Sequence, residues 1–235
     1  MLVHLAKVQT KPTFLLVKVA LYEHMAAMFG GPPNANHLAL YTRWAKGQWG
    51  MIMTGNVQVM RDHLSLGRDN IVPEELTPEA VEPFTRLAAA IHQTDASTSS
   101  AVEDGAAGRT LAILQLSHAG RQSPNVIGGR WPFAPPLAPS TVPMEYPRRE
   151  NREQAGLARL ISNLLYMTMY KTMFQTPWAM SISNIEAAIG AFVRGAQLAA
   201  RSGFDGIELH GAHGCTCTPT CSILYIMETK VERLC

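Results

Sequence analysis

Segments with the pattern of β-strands alternate with segments that have the pattern of α-helices, and this alternation constrains the fold most. Short apolar runs at residues 14–21, 50–59, 110–116 and 206–210 predict four buried strands. Helical spacing of apolar residues is found between them, at residues 35–47, 77–93 and 183–203. Because strand–helix alternation is typical of parallel sheets covered by helices, the sequence predicts an α/β fold.

The helix boundaries have their own signals. Thr77 followed by Pro78 is an N-cap with proline at the first helical position. In the third helix, Ser183 and Glu186 have the spacing of a capping box, and Gly203 can end the helix. The apolar residues of this helix fall on one face, which we expect to be buried: Ile185, Ile189, Phe192, Ala196 and Ala199.

Two segments are predicted to be loops. Residues 95–108 are small and polar, so we expect a surface insertion. Residues 131–147 contain six prolines, which remove backbone donors and exclude a regular helix. The second loop directly follows a predicted strand, and loops in that position often carry function.

Composition and charge exclude several partners. The net charge of +2 is spread along the chain, so we expect no nucleic-acid partner. The longest uncharged apolar stretch, Leu160–Tyr170, is shorter than the roughly 20 residues of a membrane-spanning helix. Lysines interrupt the apolar residues at the N-terminus, unlike a signal peptide. We therefore expect a cytoplasmic protein without a membrane partner.

All four cysteines follow Gly214, at positions 215, 217, 221 and 235. The C-x-C-x3-C spacing of the first three is compatible with a metal or redox cluster, but no second ligand pair with zinc-site spacing is present. We favour the other interpretation, a tail of unrelated composition over residues 215–235, and predict no metal site.

Polar side chains stand at the ends of three predicted strands, where ligands bind in parallel α/β proteins. They are Asn56, Gln115 with His118, and His210 with His213. The amide of Gln115 has a donor and an acceptor, which suits the edge of a heterocycle. The histidine pair could direct two N–H donors at one oxygen atom. Structural roles, or a metal site at the histidines, remain the alternatives.

Two motifs carry a resemblance to a known family. "LQLSHAGRQSP" (114–124) and "GFDGIELHGAHG" (203–214) resemble paired motifs of the old yellow enzymes, which are FMN-dependent NADH:flavin oxidoreductases. "MIMTGNVQV" (51–59), "PLAPSTVP" (136–143) and residues 177–200 are similar to the same family in the same order. The resemblance covers roughly residues 14–214.

The resemblance implies a (β/α)8 barrel of the TIM type with FMN at the carboxyl ends of its strands. It also implies hydride transfer from NADH or NADPH, through FMN, to the β-carbon of a small α,β-unsaturated carbonyl compound (an enone). Gln115 would hydrogen-bond the flavin pyrimidine edge, and Ala20 and Asn56 would approach the flavin through their backbones. His210, which belongs to the flavin site as well, and His213 would bind the substrate carbonyl oxygen and stabilise the enolate charge.

The chain departs from the family pattern at several positions. Cys215 stands where the family commonly has a proton-donating tyrosine, and Ser117 where many members have an aromatic residue. Tyr22 occupies a position often held by a small hydroxyl residue, and "TFLL" (13–16) replaces the usual Asn-Arg. We expect a wider pocket at Ser117 and a poorer proton donor at Cys215.

The resemblance stops at Gly214, so the chain is predicted to be a truncated barrel with roughly the first four strands and their helices. Residues 1–214 are the N-terminal part of the barrel, and strands five to eight, with the family's flavin-facing arginine and phosphate site, are expected to be absent. The competing hypotheses are an inert fragment that does not retain FMN and, as a third, a metal-dependent hydrolase using His210 and His213.

A four-stranded half is also predicted to expose a strand edge at each side, at residues 14–21 and 206–210, and to self-associate through them. Its uncovered inward face would include Val17, Val19, Ile52, Ile113 and Ile207.

Overall fold

The computed structural model describes residues 2–5, 16–47, 49–93, 109–144 and 157–211. These ranges contain nine strands and four α-helices. The strands are β1 (Leu2–Leu5), β2 (Val17–Lys18), β3 (Met51–Met53), β4 (Val57–Gln58), β5 (Asn70–Ile71), β6 (Leu111–Ser117), β7 (Leu137–Ala138), β8 (Trp178–Ala179) and β9 (Gly206–Leu209). The helices are α1 (Ala35–Ala45), α2 (Pro78–His92), α3 (Leu157–Met173) and α4 (Ile182–Arg201).

The principal sheet has the order β1-β9-β6-β3-β2. Strands β2, β3, β6 and β9 are parallel and follow one another in chain order, while β4 pairs with the end of β6 and with β5. Helix α1 connects β2 to β3, α2 precedes β6, and α4 precedes β9. The predicted α/β fold of four parallel strands with helices is confirmed.

The hydrophobic core lies between the sheet and the helices. Tyr41 of α1, Phe84 of α2 and Phe192 of α4 are its largest fully buried side chains. Alternate residues of β6, among them Leu114 and Leu116, pack against them. The predicted face of α4 is confirmed, since all five of its residues are buried or packed against this core.

The helix signals are confirmed for α2 and wrong in detail for α4. The Thr77 hydroxyl accepts a hydrogen bond from the backbone N–H of Ala80 (3.3 Å), as an N-cap does. The N-cap of α4 is Ser181, two residues before the predicted Ser183, because Ser181 has the extended backbone of an N-cap. Its capping box pairs Ser181 with Asn184, whose side chain accepts from the Ser181 N–H, so Glu186 has no part in it.

The first two predicted strands differ from expectation. Of residues 16–21, only Val17 and Lys18 form a strand, and Val17 and Val19 are 42% and 57% exposed because β2 lies at the sheet edge. The second strand is split into β3 and β4 because the backbone at Thr54–Asn56 leaves the ladder. The Thr54 hydroxyl accepts from the Gln115 N–H (3.0 Å) at this break.

The prediction of two open sheet edges is wrong at residues 206–210. Strand β1 pairs antiparallel with β9, from Leu2 opposite Leu209 to Leu5 opposite Gly206. Local sequence pattern does not show this pairing because its partners are about 200 residues apart. Self-association through the β2 edge stays a prediction. The predicted uncovered face is correct for Val17 and Val19, which are exposed, and wrong for the other three residues: Ile52 and Ile207 belong to the helix-side core, and Ile113 is fully buried.

Of the two predicted loops, the structure describes only part of one. The described part of the proline-rich segment, residues 131–144, has no regular element apart from β7, which pairs with β8 in a separate two-stranded sheet. Helix α3 was not predicted. Residues 94–108, including the expected surface insertion, and residues 212–235, including His213 and the cysteines, lie outside the described residues. None of the helices in the described ranges has the length and apolar character needed to cross a membrane.

Candidate active site at the carboxyl ends of the parallel strands

Strands β6 and β9 present a row of polar side chains on the face opposite the helices. Gln115 is directly opposite Glu208 in the parallel register. Because side chains alternate along a strand, Ser117 and His210, two residues further on, lie on the same face. Gln115, Ser117 and Glu208 are buried, and His210 is half-buried directly after β9. The structure thus brings Gln115 and His210 to the ends of neighbouring strands.

Gln115 is held by one hydrogen bond of its side chain and one of its backbone. Its Nε2 donates to Glu208 Oε2 over 3.1 Å, and its backbone N–H donates to Thr54 Oγ1 over 3.0 Å. Burial raises the pKa of Glu208, while the hydrogen bond from Gln115 opposes the rise. The bond to Glu208 uses one of the two amide donors of Gln115.

The ends of β2 and β3 are joined by a second hydrogen-bond group. The backbone N–H of Gly55 donates to Glu23 Oε1 (3.0 Å) and to the Tyr41 hydroxyl (2.8 Å), and the Tyr41 hydroxyl donates to Glu23. Burial, followed by the neighbouring Glu23 carboxylate, raises the pKa of Tyr41 well above its usual range. This group joins the segment that follows Ala20 to the segment that precedes Asn56, and both of these predicted contacts are half-buried.

Gly55 is a position where the close approach of two chain segments requires glycine. A Cβ atom there would overlap the Glu23 carboxylate and the backbone oxygen of Leu21. We expect Gly55→Ala to lower the free energy of unfolding by about 1–3 kcal/mol, as overpacking of a buried site does. Urea unfolding measures this loss.

Gly190 offers a matched control. A Cβ at this exposed position of α4 meets no heavy atom within 4 Å. Gly190→Ala is therefore expected to stabilise the chain by about 1 kcal/mol through helix propensity. Equal effects of the two substitutions would contradict the close approach at Gly55.

His118, directly after β6, belongs to a fully buried cluster with His63. Its Nδ1 accepts from the Gly120 N–H (3.1 Å), and its ring stacks on His63 with centroids 4.4 Å apart. His63 Nε2 accepts from the Leu137 N–H (2.9 Å), which attaches the proline-rich loop to the sheet. Complete burial lowers the pKa of His118 well below its usual range, and His63 adds to the effect while Asp62 opposes it.

The lowered pKa of His118 predicts a specific loss of stability in acid. Below the unfolded-state pKa of about 6.5 the unfolded chain takes up a proton that the folded chain does not. The contribution of His118 is therefore present above that pH and falls by about 1.4 kcal/mol per pH unit as the pH approaches the folded-state pKa. His118→Asn, which keeps an acceptor for Gly120, should remove this dependence. Urea unfolding of the two proteins across this range measures the difference, and parallel pH profiles would contradict it.

A separate cavity of about 910 Å³ lies on the helix side of the molecule. It is lined by the loop after β5, the first turn of α2 and Arg194 of α4. None of the predicted site residues lines it, and Arg194 already donates to the backbone oxygens of Pro73 and Val59. The polar row on β6 and β9 is therefore the stronger candidate site. In the described part of the chain, no three His, Cys, Asp or Glu side chains are grouped as a metal ion requires.

Comparison with known proteins shows to which family this chain belongs. Residues 17–216 match the NADH:flavin oxidoreductase / NADH oxidase family. The chain belongs to this family. The match contains β2 to β9, and with them Gln115, His210 and the whole candidate site.

Two curated relatives of this chain come from fungi. The NADH-dependent flavin oxidoreductase iliE of Neonectria sp. (strain DH2) is 36% identical over 200 residues, which are 85% of this chain and 22% of the relative. The protein of the same name from Hypocrea jecorina (strain QM6a) is 30% identical over 200 residues and is covered to 43%. The chain spans less than half the length of these relatives.

Solved structures confirm the fold. An old yellow enzyme homologue from Zymomonas mobilis matches with a TM-score of 0.59 at 18% identity, over 85% of this chain and 45% of the other. Morphinone reductase matches with a TM-score of 0.62 at 16% identity, over 93% and 55% of the two chains. Partial coverage of these barrels agrees with the predicted truncated (β/α)8 barrel.

The residues present fit one edge of a flavin. The buried Ser117 Oγ has no hydrogen-bond partner within the described residues, although Ser117 lies on the polar face two residues after Gln115. A buried hydroxyl without a partner is costly, so this face is suited to a ligand that supplies polar groups. Sequence reasoning named Gln115 and His210 but missed Glu23, Thr54, Gly55, Tyr41 and Glu208.

Proposed function

We propose that this chain provides the flavin-edge and substrate-carbonyl side of an FMN-dependent NAD(P)H oxidoreductase that reduces α,β-unsaturated carbonyl compounds. The observation that carries the proposal is the position of Gln115 and His210 on one polar face at the ends of β6 and β9. Membership in the flavin oxidoreductase family supports it. The fungal relatives are named as NADH-dependent, which supports NADH as the reductant.

The proposed roles follow from the chemistry of the side chains. Gln115 binds the pyrimidine edge of FMN with its carbonyl oxygen and its second N–H. Ala20 and Asn56 approach the flavin with their backbones, and bound FMN supplies the hydride relay between nicotinamide and substrate. His210, with His213, donates N–H hydrogen bonds to the substrate carbonyl oxygen and stabilises the negative charge that develops on it.

An assay with added FMN tests the proposal. The chain is incubated with FMN, and oxidation of NADH is followed without oxygen, with and without 2-cyclohexenone. Oxidation that depends on the enone and on the protein is expected, whereas FMN without protein is the control. Oxidation at the rate of free FMN would contradict the proposal.

That outcome would favour the alternative, a catalytically inert fragment that does not retain FMN. The observation behind this alternative is the short length of the chain, which covers only 22% and 43% of the two fungal relatives. Gel filtration after incubation with FMN separates the two hypotheses, because an inert fragment elutes without flavin.

A further inference from the structure

Glu208 is a buried acidic residue that sequence reasoning did not assign to the site. Its side chain is 5% exposed and lies directly opposite Gln115 in the register of β6 and β9. Glu208 Oε2 accepts the hydrogen bond from Gln115 Nε2 over 3.1 Å. Because Glu208 contacts Gln115 from the neighbouring strand, it can act on a ligand through that residue.

The chemistry of the pair determines the orientation of the Gln115 amide. The oxygen and nitrogen ends of a carboxamide have nearly the same shape, so an isolated glutamine can turn either end toward a ligand. Burial raises the pKa of Glu208, but the hydrogen bond that it accepts from Gln115 lowers the pKa and favours the ionised form, and an ionised carboxylate only accepts hydrogen bonds. Glu208 therefore pairs with the nitrogen end of Gln115, and the reverse orientation would bring two oxygen atoms together.

The backbone of Gln115 is fixed as well, so the amide cannot be reoriented by a shift of the backbone. Its N–H donates to Thr54 Oγ1 (3.0 Å), and the Thr54 hydroxyl donates to the Gly55 oxygen (3.0 Å). The fixed amide presents its carbonyl oxygen and its second N–H together. The pyrimidine ring of a flavin has an N–H donor beside carbonyl acceptors, so this pair is complementary to it.

We propose that Glu208 is a positioning residue for the flavin: it fixes the Gln115 carboxamide in the orientation that matches the pyrimidine edge, without contacting the flavin itself. This inference rests on the proposed function. Glu208→Ala removes the orienting acceptor and leaves the Gln115 side chain free to rotate as well as to turn, so FMN binding should weaken about tenfold, the cost of ordering a free glutamine side chain. Glu208→Gln can pair with either end of the amide, so about half of the molecules keep the competent orientation and the weakening is about twofold.

A double-mutant cycle on the FMN dissociation constant tests the inference. Glu208→Ala, Gln115→Ala and the double variant are titrated with FMN, and thermal unfolding is recorded for each. If Glu208 acts through Gln115, Glu208→Ala changes the dissociation constant less than twofold when Gln115 is already alanine. A tenfold loss in each background would overturn the inference, because it would show a general structural role. Glu186→Ala, on the exposed surface of α4, is the control and should leave the constant unchanged.

Two further outcomes separate this inference from the proposed function. If the unaltered chain binds FMN and Glu208→Ala binds it equally well, only the inference on Glu208 is wrong. If the unaltered chain does not bind FMN, the inference and the proposed function are wrong together. A cofactor-free measurement adds a second test: in a ¹⁵N-labelled chain, the Gln115 side-chain amide should exchange slowly with solvent and shift in Glu208→Gln. The same spectrum in the two proteins would also overturn the inference.

Discussion

Replacement of Asp205 by alanine is expected to lower the free energy of unfolding by about 3–5 kcal/mol, the cost of removing one partner from a buried ion pair. Asp205 is 5% exposed at the start of β9. His92 Nε2 lies 2.8 Å from its Oδ2, the Ala112 N–H donates to the same oxygen (2.8 Å), and Arg109 pairs with Oδ1. The carboxylate thus links α2, β6 and β9, and its removal leaves a buried N–H without a partner.

Urea unfolding at neutral pH measures this loss. Asp205→Asn keeps an acceptor for Ala112 and should lose less than the alanine variant. Glu82→Gln is the control, because the ion pair of Glu82 with Arg86 is exposed on α2 and is worth less than about 1 kcal/mol. A loss in Asp205→Ala as small as in Glu82→Gln would show that the network does not stabilise the fold.

The same network predicts a pH dependence. Burial alone would raise the pKa of Asp205, but the hydrogen bonds from His92 and Ala112, with the charges of His92 and Arg109, lower the pKa below its usual value. Because the folded-state pKa is lowered, the stabilisation is present above the unfolded-state value of about 3.9 and is lost as the pH falls through the folded-state value.

His210→Ala is expected to slow reduction of an enone by about 10²–10³-fold at saturating FMN, the effect of removing one donor to a developing oxyanion. The FMN dissociation constant should change less than the rate, because Gln115 provides the principal contact to the pyrimidine edge. The measurement is the steady-state rate with 2-cyclohexenone. Gln197→Ala, on the exposed surface of α4, is the control.

An unchanged rate in His210→Ala would mean that this histidine is structural. A rate that falls only because FMN is lost would instead place His210 among the flavin contacts. The two results are separated by measuring the rate and the FMN dissociation constant on the same preparation.

Sequence alone predicted the elements whose signals are local. Helix α2 has an N-cap at Thr77 and a proline at its first position, and β6 is a short apolar run, so α2 begins where predicted and β6 lies within one residue of its predicted range. The order of these elements then determined the parallel sheet, because a crossover helix between two strands favours that arrangement.

Features that depend on distant partners could not be predicted. Strand β1 is a strand only because β9 offers it an edge, and β2 is exposed because the sheet ends there. Either Ser181 or Ser183 is a suitable residue type for the N-cap of α4. The capping box between Ser181 and Asn184 determines that Ser181 is the N-cap. The pairing of a strand and the start of a helix therefore depend on contacts with other residues, and not on residue type alone.

The same distinction applies to the candidate site. Gln115 and His210 follow the rule that ligands bind at the carboxyl ends of parallel strands, so their positions were predictable. The contact of Glu208 with Gln115 depends on the register of two strands more than 90 residues apart in sequence. Gly55 was not predicted because only the structure shows how closely Glu23 and Leu21 approach it.

The most direct test of the account is an equilibrium titration of the chain with FMN, followed by the fluorescence of the flavin and repeated with Gln115→Ala. The account predicts saturable binding of one FMN per chain, weakened about tenfold or more when the buried amide is removed. Fluorescence that does not saturate, or equal dissociation constants for the two proteins, would contradict the assignment of this polar face as a flavin site.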